Sequence, residues 1–180
     1  MKQHIEEILR HRKKEKISSA NLRSSAVLMP LFYDQGQYYI LLTERSDQVN
    51  FHKGQVCFPG GTQQPSDSSL RQTALRETEE EIGLKTEDIE ILGELDDSVA
   101  LSSNCVISPF VAFIPYPYTL RIDGREVKGT FSVPLSFFMD EANFKEDHYA
   151  YEYAGHIIWG ATARIVRHFI GLLRSESGGR

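Results

Sequence analysis

Cysteine is nearly absent from this chain, which has only Cys57 and Cys105. Two thiols without C-x-x-C spacing exclude a disulfide framework and a zinc or thioredoxin-type motif, and they suit a reduced cytosol. Also missing is any apolar run approaching the ~20 residues of a membrane span. Met1 to Ser19 carries charge throughout, where a signal peptide has an apolar centre. The last residues, Ser177-Gly178-Gly179-Arg180, do not match the peroxisomal tripeptide Ser-Lys-Leu. A cytoplasmic protein with no membrane partner is expected. Basic excess is lacking as well: 20 Lys and Arg face 25 Asp and Glu, a formal net charge of -5. That balance argues against a nucleic-acid binder and remains compatible with a small anion bound through metal ions. A length of 180 residues with no internal repeat suits one domain.

What the chain does contain is an acidic run, Arg76-Glu77-Thr78-Glu79-Glu80-Glu81-Ile82-Gly83-Leu84. On a helix, Glu77, Glu80 and Glu81 stand at i, i+3 and i+4, so their carboxylates project from one face and converge. Acids this close raise one another's pKa unless hard cations that prefer oxygen ligands neutralise them, which points to magnesium or manganese. A Glu-rich stretch by itself is usually a solvated helix face. Here the surroundings say otherwise. Pro59-Gly60-Gly61 reads as a chain reversal where backbone can approach a metal without a Cβ in the way. Ser69 and Gln72 form a capping box, Leu70, Ala74, Leu75 and Ile82 give an apolar face, and Gly83 sits at a left-handed cap.

Around this helix, residues 1 to about 18 suggest a helix burying Ile5, Ile8 and Leu9, with the basic cluster Arg10 to Lys16 as its solvated end. Ala26 to Tyr33 and Tyr38 to Leu42 make a hairpin around Asp34-Gln35-Gly36. Ile89 to Leu95, Val106 to Ile114 and Thr130 to Val133 read as strands. Trp159 to Leu173 reads as a helix with Ala161, Ile165, Phe169 and Leu172 inward. The fold class is α+β, an α/β/α sandwich with a central mixed β-sheet. Residues 1–25 form an N-terminal helix and linker, 26–175 the main domain, and 176–180 a flexible tail.

Gly61 through Leu84 resembles the signature of the Nudix hydrolases, G-x5-E-x7-R-E-U-x-E-E-x-G-U with U a bulky aliphatic residue. Gly61, Arg76, Glu77, Glu80, Glu81, Gly83 and Leu84 match. Asp67 stands at the early Glu, one extra residue separates it from Arg76, and Thr78 replaces an aliphatic residue. The longer spacing is similar to that of the coenzyme A pyrophosphatase subgroup, whose box runs G-G-x-x-D-P-x-D before T-A-L-R-E. Leu41-Leu42-Thr43-Glu44-Arg45-Ser46 and Gly54 to Gly61 resemble that subgroup's second signature, L-L-T-x-R-(S/A)-x3-R-x3-G-x3-F-P-G-G. Asn50 replaces its second arginine. Val127 to Leu135 and Ile158-Trp159-Gly160-Ala161-Thr162-Ala163-Arg164 continue the likeness.

The resemblance implies a Nudix-type sandwich and a Mg2+- or Mn2+-dependent pyrophosphatase. Coenzyme A would be the small-molecule nucleotide substrate, and homodimers are common among relatives. Glu77, Glu80, Glu81 and the Gly61 carbonyl would hold metal, and Arg76 would orient a box glutamate. Glu77 or Glu126 would be the base. Arg45, Asn50, Gly60 and Gly61 would contact substrate. Asn50 offers neutral hydrogen bonds where an arginine would fork onto a phosphate, which keeps ADP-ribose or NADH as alternative substrates. A third alternative is a nucleotide-binding module without turnover. Asp96 and Asp97 read as a solvated turn, and His52 and His156 as structural.

Overall fold

The computed structural model describes residues 1–47, 54–122 and 124–177. Asn50 and His52 lie outside the described residues. The long apolar segments form the core strands β1 (Arg23–Asp34), β2 (Gln37–Arg45) and β7 (Cys105–Phe113). Their side chains alternate between two apolar layers, as a pleated strand requires. Met29, Leu31, Ile40, Leu42 and Val111 point to one layer, and Leu28, Phe32, Leu41, Phe110 and Ala112 to the other. Burial on both faces explains why these strands read as nearly continuous apolar runs. β1 pairs parallel with β7 from Arg23 opposite Cys105 to Leu31 opposite Phe113, while β1 and β2 are antiparallel, so the sheet is mixed.

The remaining described strands are β3 (Val56–Cys57), β4 (Gly60–Thr62), β5 (Glu90–Glu94), β6 (Ser98–Ala100), β8 (Val127–Pro134), and the small β9 (Phe144–Lys145), β10 (Ala150–Tyr153) and β11 (His156–Ile158). Among the described residues β1 to β8 form one sheet and β9 to β11 a second. The large sheet forks along β1. Leu31 to Asp34 pair with β2, whereas Ser25 to Val27 pair with β4, and β2 leaves to pair with β3 and β8. The glycine pair expected in a chain reversal is therefore itself a strand, laid into this fork.

Helix α2 (Leu70–Ile82) covers one face, with Ala74 and Ile82 in its core. On the other face lie α1 (Lys2–His11), α3 (Leu135–Met139) and α4 (Gly160–Ser177). The buried stripe of α4 is wider than the sequence pattern indicates. Ile165 and Phe169 are joined by Ala163, Val166, Ile170 and Leu173, while Ala161 and Leu172 are only half-buried. The helix packs on α1 and α3 as well as on the sheet, so more than one stripe finds a partner.

The basic cluster after α1 is not a solvated end. Arg12 bonds Asp96 and the Glu94 carbonyl, Lys14 Nζ lies 2.9 Å from both Glu94 and Asp97, and the Glu15 and Ile17 N–H groups donate to Asp96 and Asp97. Residues 12–17 thus form a strap along 94–97, and the two aspartates serve the strap, away from the box glutamates. Close approach of α1 to β5 depends on Gly93, where a Cβ would lie 2.5 Å from Leu9 Cβ. Gly93→Ala is expected to destabilise the protein by about 1–3 kcal/mol through overpacking, read as a lower urea midpoint. An unchanged midpoint would show that α1 is not seated there.

Candidate active site

Helix α2 is bounded as its sequence indicates. Ser69 Oγ accepts from the Gln72 N–H at 3.2 Å, and Gly83 ends the helix at φ 71°, ψ 14°, its N–H on the Glu79 carbonyl. The return half of the capping box is displaced by one residue: the Gln72 carboxamide oxygen accepts from the Ser68 N–H at 2.6 Å and the Ser68 hydroxyl at 2.7 Å. Thr78, at an aliphatic position of the signature, is fully buried with its hydroxyl donating to the Ala74 carbonyl at 2.7 Å, so it leaves no polar atom unmatched.

Arg76 is held by Asp67. The guanidinium grips it with Nε and Nη2, each at 2.9 Å, and Asp67 also accepts from the Gln64 N–H at 2.9 Å and the Thr73 hydroxyl at 3.0 Å. These bonds, Arg76 first, hold the Asp67 carboxyl well below the usual carboxylate range. The remaining Nη1 lies 2.8 Å from Glu77 and 3.0 Å from Glu80. Glu77 and Glu80 thus converge on one guanidinium nitrogen. Asp67, which the signature comparison marks only as a departure, is the anchor of this arrangement. The signal for it was present: Thr73 and Arg76, six and nine residues on, share one helix face.

Glu81 is 4% exposed, and one of its oxygens accepts from the Gly60 N–H at 3.1 Å. Burial pushes its carboxyl up to about 8 against that bond and the Arg45 charge, with Glu77 and Glu126 pushing the same way. Glu77 is also raised, chiefly by burial, opposed by Arg76 and reinforced by Glu80 and Glu126. The two glycines make this crowding possible. A Cβ on Gly60 would lie 2.3 Å from the Ala26 carbonyl oxygen, and one on Gly61 would lie 2.5 Å from the Glu77 carboxyl carbon. Only bare backbone fits between β1 and the acids.

Beside Glu81 lies a cleft of about 1090 Å3 whose walls include Arg45, Gly60, Gly61, Glu77 and Glu126. Arg45 Nε is buried without a hydrogen-bond partner among the described residues. Glu80 departs from the expected convergence: its side chain is 58% exposed and borders a second hollow, beside Arg76, on the outer side of α2. Glu79 faces away, bonding Lys85 and Thr86. His156 stacks on Phe131 with ring centroids 4.0 Å apart, a packing role. Cys57, missed in the sequence, also lines the cleft. Burial raises its thiol, which lies 3.3 Å from the Thr43 hydroxyl.

Among the described residues no three Asp, Glu, His or Cys side chains are already drawn together around an ion position. The donor set nevertheless fits a divalent cation. Glu77 and Glu81 are oxygen donors whose ionisation is opposed by burial and by neighbouring acids, the condition a hard cation relieves, and Glu126 adds a further oxygen donor on the cleft wall.

An acid-lined cleft at the fork of a mixed sheet, between two helical layers, defines a protein of the α/β/α sandwich class. The NUDIX domain family profile matches residues 22–149. The chain is 38% identical over 159 residues to Nudix hydrolase NudL of Yersinia enterocolitica, covering 83% of this chain and 80% of that protein. It is 37% identical over 158 residues to NudL of Photorhabdus laumondii, covering 82% and 83%. Its fold is similar to a MutT/nudix family protein from Enterococcus faecalis (TM-score 0.61, 17% identity, 96% of this chain and 74% of that one). It is also similar to a C. elegans Ap4A hydrolase (TM-score 0.59, 19%, 86% and 99%). The NUDIX domain of Shewanella oneidensis NrtR, solved with ADP ribose, is a further structural relative (TM-score 0.55, 18%, 89% and 90%). The chain belongs to the Nudix hydrolases. It is accordingly an enzyme acting on nucleoside diphosphate derivatives, in a family that generally needs divalent metal ions. Among the described residues no helix is long and apolar enough to cross a membrane.

Glu81→Gln keeps an acceptor for the Gly60 N–H and removes the ionisable group. Because the folded-state pKa is raised to about 8, the wild type loses stability as pH rises from the ordinary carboxyl range toward 8. In metal-free protein the variant should nearly match wild type at pH 5 and exceed it at pH 8, by an amount on the order of a few kcal/mol. Thermal denaturation in chelator at both pH values measures this, and equal melting temperatures at pH 8 would contradict the burial of an ionisable Glu81.

Proposed function

We propose that the chain hydrolyses the diphosphate bond of coenzyme A or its derivatives, giving 4'-phosphopantetheine and adenosine 3',5'-bisphosphate. The observation that carries the reading is that buried Glu81 feels the charges of Glu77, Glu126 and Arg45 beside the Gly60-Gly61 strand, on segments that resemble the coenzyme A pyrophosphatase signatures. Magnesium or manganese, held by Glu77, Glu81 and the Gly61 carbonyl, with Glu80 reaching it only by turning in from the outer hollow, would neutralise the diphosphate and acidify the attacking water. The two free thiols suit the cytoplasm, and a homodimer is the assembly the resemblance implies.

The residues divide the remaining work. Arg76, locked onto Asp67, fixes Glu77 and Glu80 and leaves the substrate to other cations. Arg45 borders the cleft near Glu81 and is the cation for a substrate phosphate. Glu126 and Glu77 border the cleft where a base would take a proton from water attacking phosphorus. Burial, reinforced by the like charges of Glu80 and Glu126, keeps Glu77 a stronger base than an exposed glutamate.

Asn50 supports a second reading, in which ADP-ribose or NADH is the substrate, since it lacks the permanent charge of the matching arginine. Chromatography of products from coenzyme A, dephospho-coenzyme A, ADP-ribose and NADH with magnesium or manganese separates the two. Adenosine 3',5'-bisphosphate should appear fastest, from coenzyme A, and turnover confined to the other substrates would transfer the activity to the second reading. Glu81→Gln should lower kcat by about 10²–10⁴-fold while the protein stays folded. Undiminished turnover in that variant would rule out the acid cluster as the reaction centre.

A further inference from the structure

Farther along the same cleft, two arginines from distant parts of the chain flank one loop. Arg23, at the start of β1, donates from Nη2 to the Ser103 carbonyl at 3.0 Å, and Arg164, on the second turn of α4, donates from Nη2 to the Val99 carbonyl at 2.6 Å. Both line the cleft and both are exposed. Among the described residues neither has a carboxylate partner, whereas Arg10, Arg12, Arg76, Arg167 and Arg174 each reach an acid. Each bond to a carbonyl fixes the guanidinium's position and leaves its charge uncompensated. Further N–H donors of each fork remain for a ligand.

Their setting favours an anion on a nucleoside. The first turn of α4, Gly160 to Thr162, borders the same space and adds the positive end of an 18-residue helix. Trp159, 47% exposed, stands just before it and lines the cleft, an aromatic face on which a base can stack. Ala26 is paired with Gly61, and Arg23 lies three residues before Ala26 on β1, about 10 Å from the glycine pair at the strand's rise. A nucleotide whose diphosphate lies at the glutamates can span that distance.

We propose that Arg23, Arg164 and the first turn of α4 form a second anion subsite, which binds a phosphomonoester on the ribose of the substrate, separate from the diphosphate that is cleaved. The subsite rests on the proposed function for the identity of that group, the 3'-phosphate of coenzyme A. A 2'-phosphate has the same chemistry. The subsite makes substrates with an extra ribose phosphate the preferred class, with the selecting charge at Arg23 and Arg164.

Calorimetry on the full chain with magnesium, titrating adenosine 3',5'-bisphosphate, adenosine 2',5'-bisphosphate and AMP, tests the subsite without turnover. The 3',5'-bisphosphate should bind about 10–100-fold tighter than AMP, as one or two charge-assisted bonds provide. Arg23→Gln and Arg164→Gln should each reduce that ratio about tenfold, and Arg164→Lys should restore part of it. Tighter binding of the 2',5' isomer would support the subsite and reassign its phosphate. Equal binding of bisphosphates and AMP by the wild type would overturn the proposal. So would variants that weaken all three ligands alike, which is the effect expected if the arginines only brace the loop. A chain that prefers the bisphosphate yet does not hydrolyse coenzyme A would retain the subsite and refute the proposed substrate. Hydrolysis of coenzyme A without any bisphosphate preference would do the reverse.

Discussion

A carboxylic acid held almost out of water is the constraint around which this molecule is arranged. Glu81 is 4% exposed on a helix packed against the central sheet, and one backbone N–H reaches it directly. Burying an acid with so few partners opposes its ionisation, and Glu77 and Glu126 deepen the opposition. The fold keeps it there through geometry. β1 and β2 part, β4 enters the fork with two residues that have no Cβ, and the Gly60 N–H meets the acid. A side chain on Gly60 would collide with β1, and one on Gly61 with Glu77. The sheet's fork, the glycine pair and the acidic helix are therefore one device, and altering any of them displaces the other two.

Arg76 solves the complementary problem. Three glutamates within one helical turn repel, and a mobile cation would be free to neutralise the wrong one. Asp67 fixes the guanidinium with two bonds, leaving one nitrogen for Glu77 and Glu80. An aspartate is one methylene shorter than the glutamate of the general signature, and the intervening loop is one residue longer. The turn that places the Asp67 N–H on the Gln64 carbonyl at 2.9 Å brings the shorter side chain back over the helix. What reads as two departures in the sequence is one compensated arrangement in the structure.

Local features were the legible ones. The caps of α2, the hairpin of β1 and β2, and the inward face of α1 depend on residues a few positions apart, and periodicity and capping chemistry report them directly. Glu126 was identified by likeness to a motif, and it lines the cleft. What stayed hidden depends on pairings across the chain. Arg12 with Asp96, Lys14 with Asp97, and Arg164 with Val99 join segments whose separation a single sequence does not reveal. A cluster such as Arg10 to Lys16 has the composition of a solvated helix end whether or not acids await it. The divergence of Glu80 was hidden for a related reason: helical spacing places three acids on one side, and only the packing of the helix against the sheet buries Glu77 and Glu81 while leaving Glu80 in solvent.

The cleft wall is where these long-range pairings accumulate. The strap of residues 12–17 lies on 94–97, immediately before β6, and β6 leads into the loop that holds Leu101 in solvent, 83% exposed. Arg23 and Arg164 grip the two ends of that loop from the sheet and from α4. A loop of this kind has little core of its own, so its position is set by the segments that tie it down. Glu77 and Glu81 at one end of the cleft are held by contacts with residues near Gly61 in the chain, whereas the wall at the other end is fixed by chain segments 65 to 81 residues apart. Chemistry common to a family can reside in the first arrangement while the second varies, which places the choice of substrate in the part of the site that sequence motifs describe least.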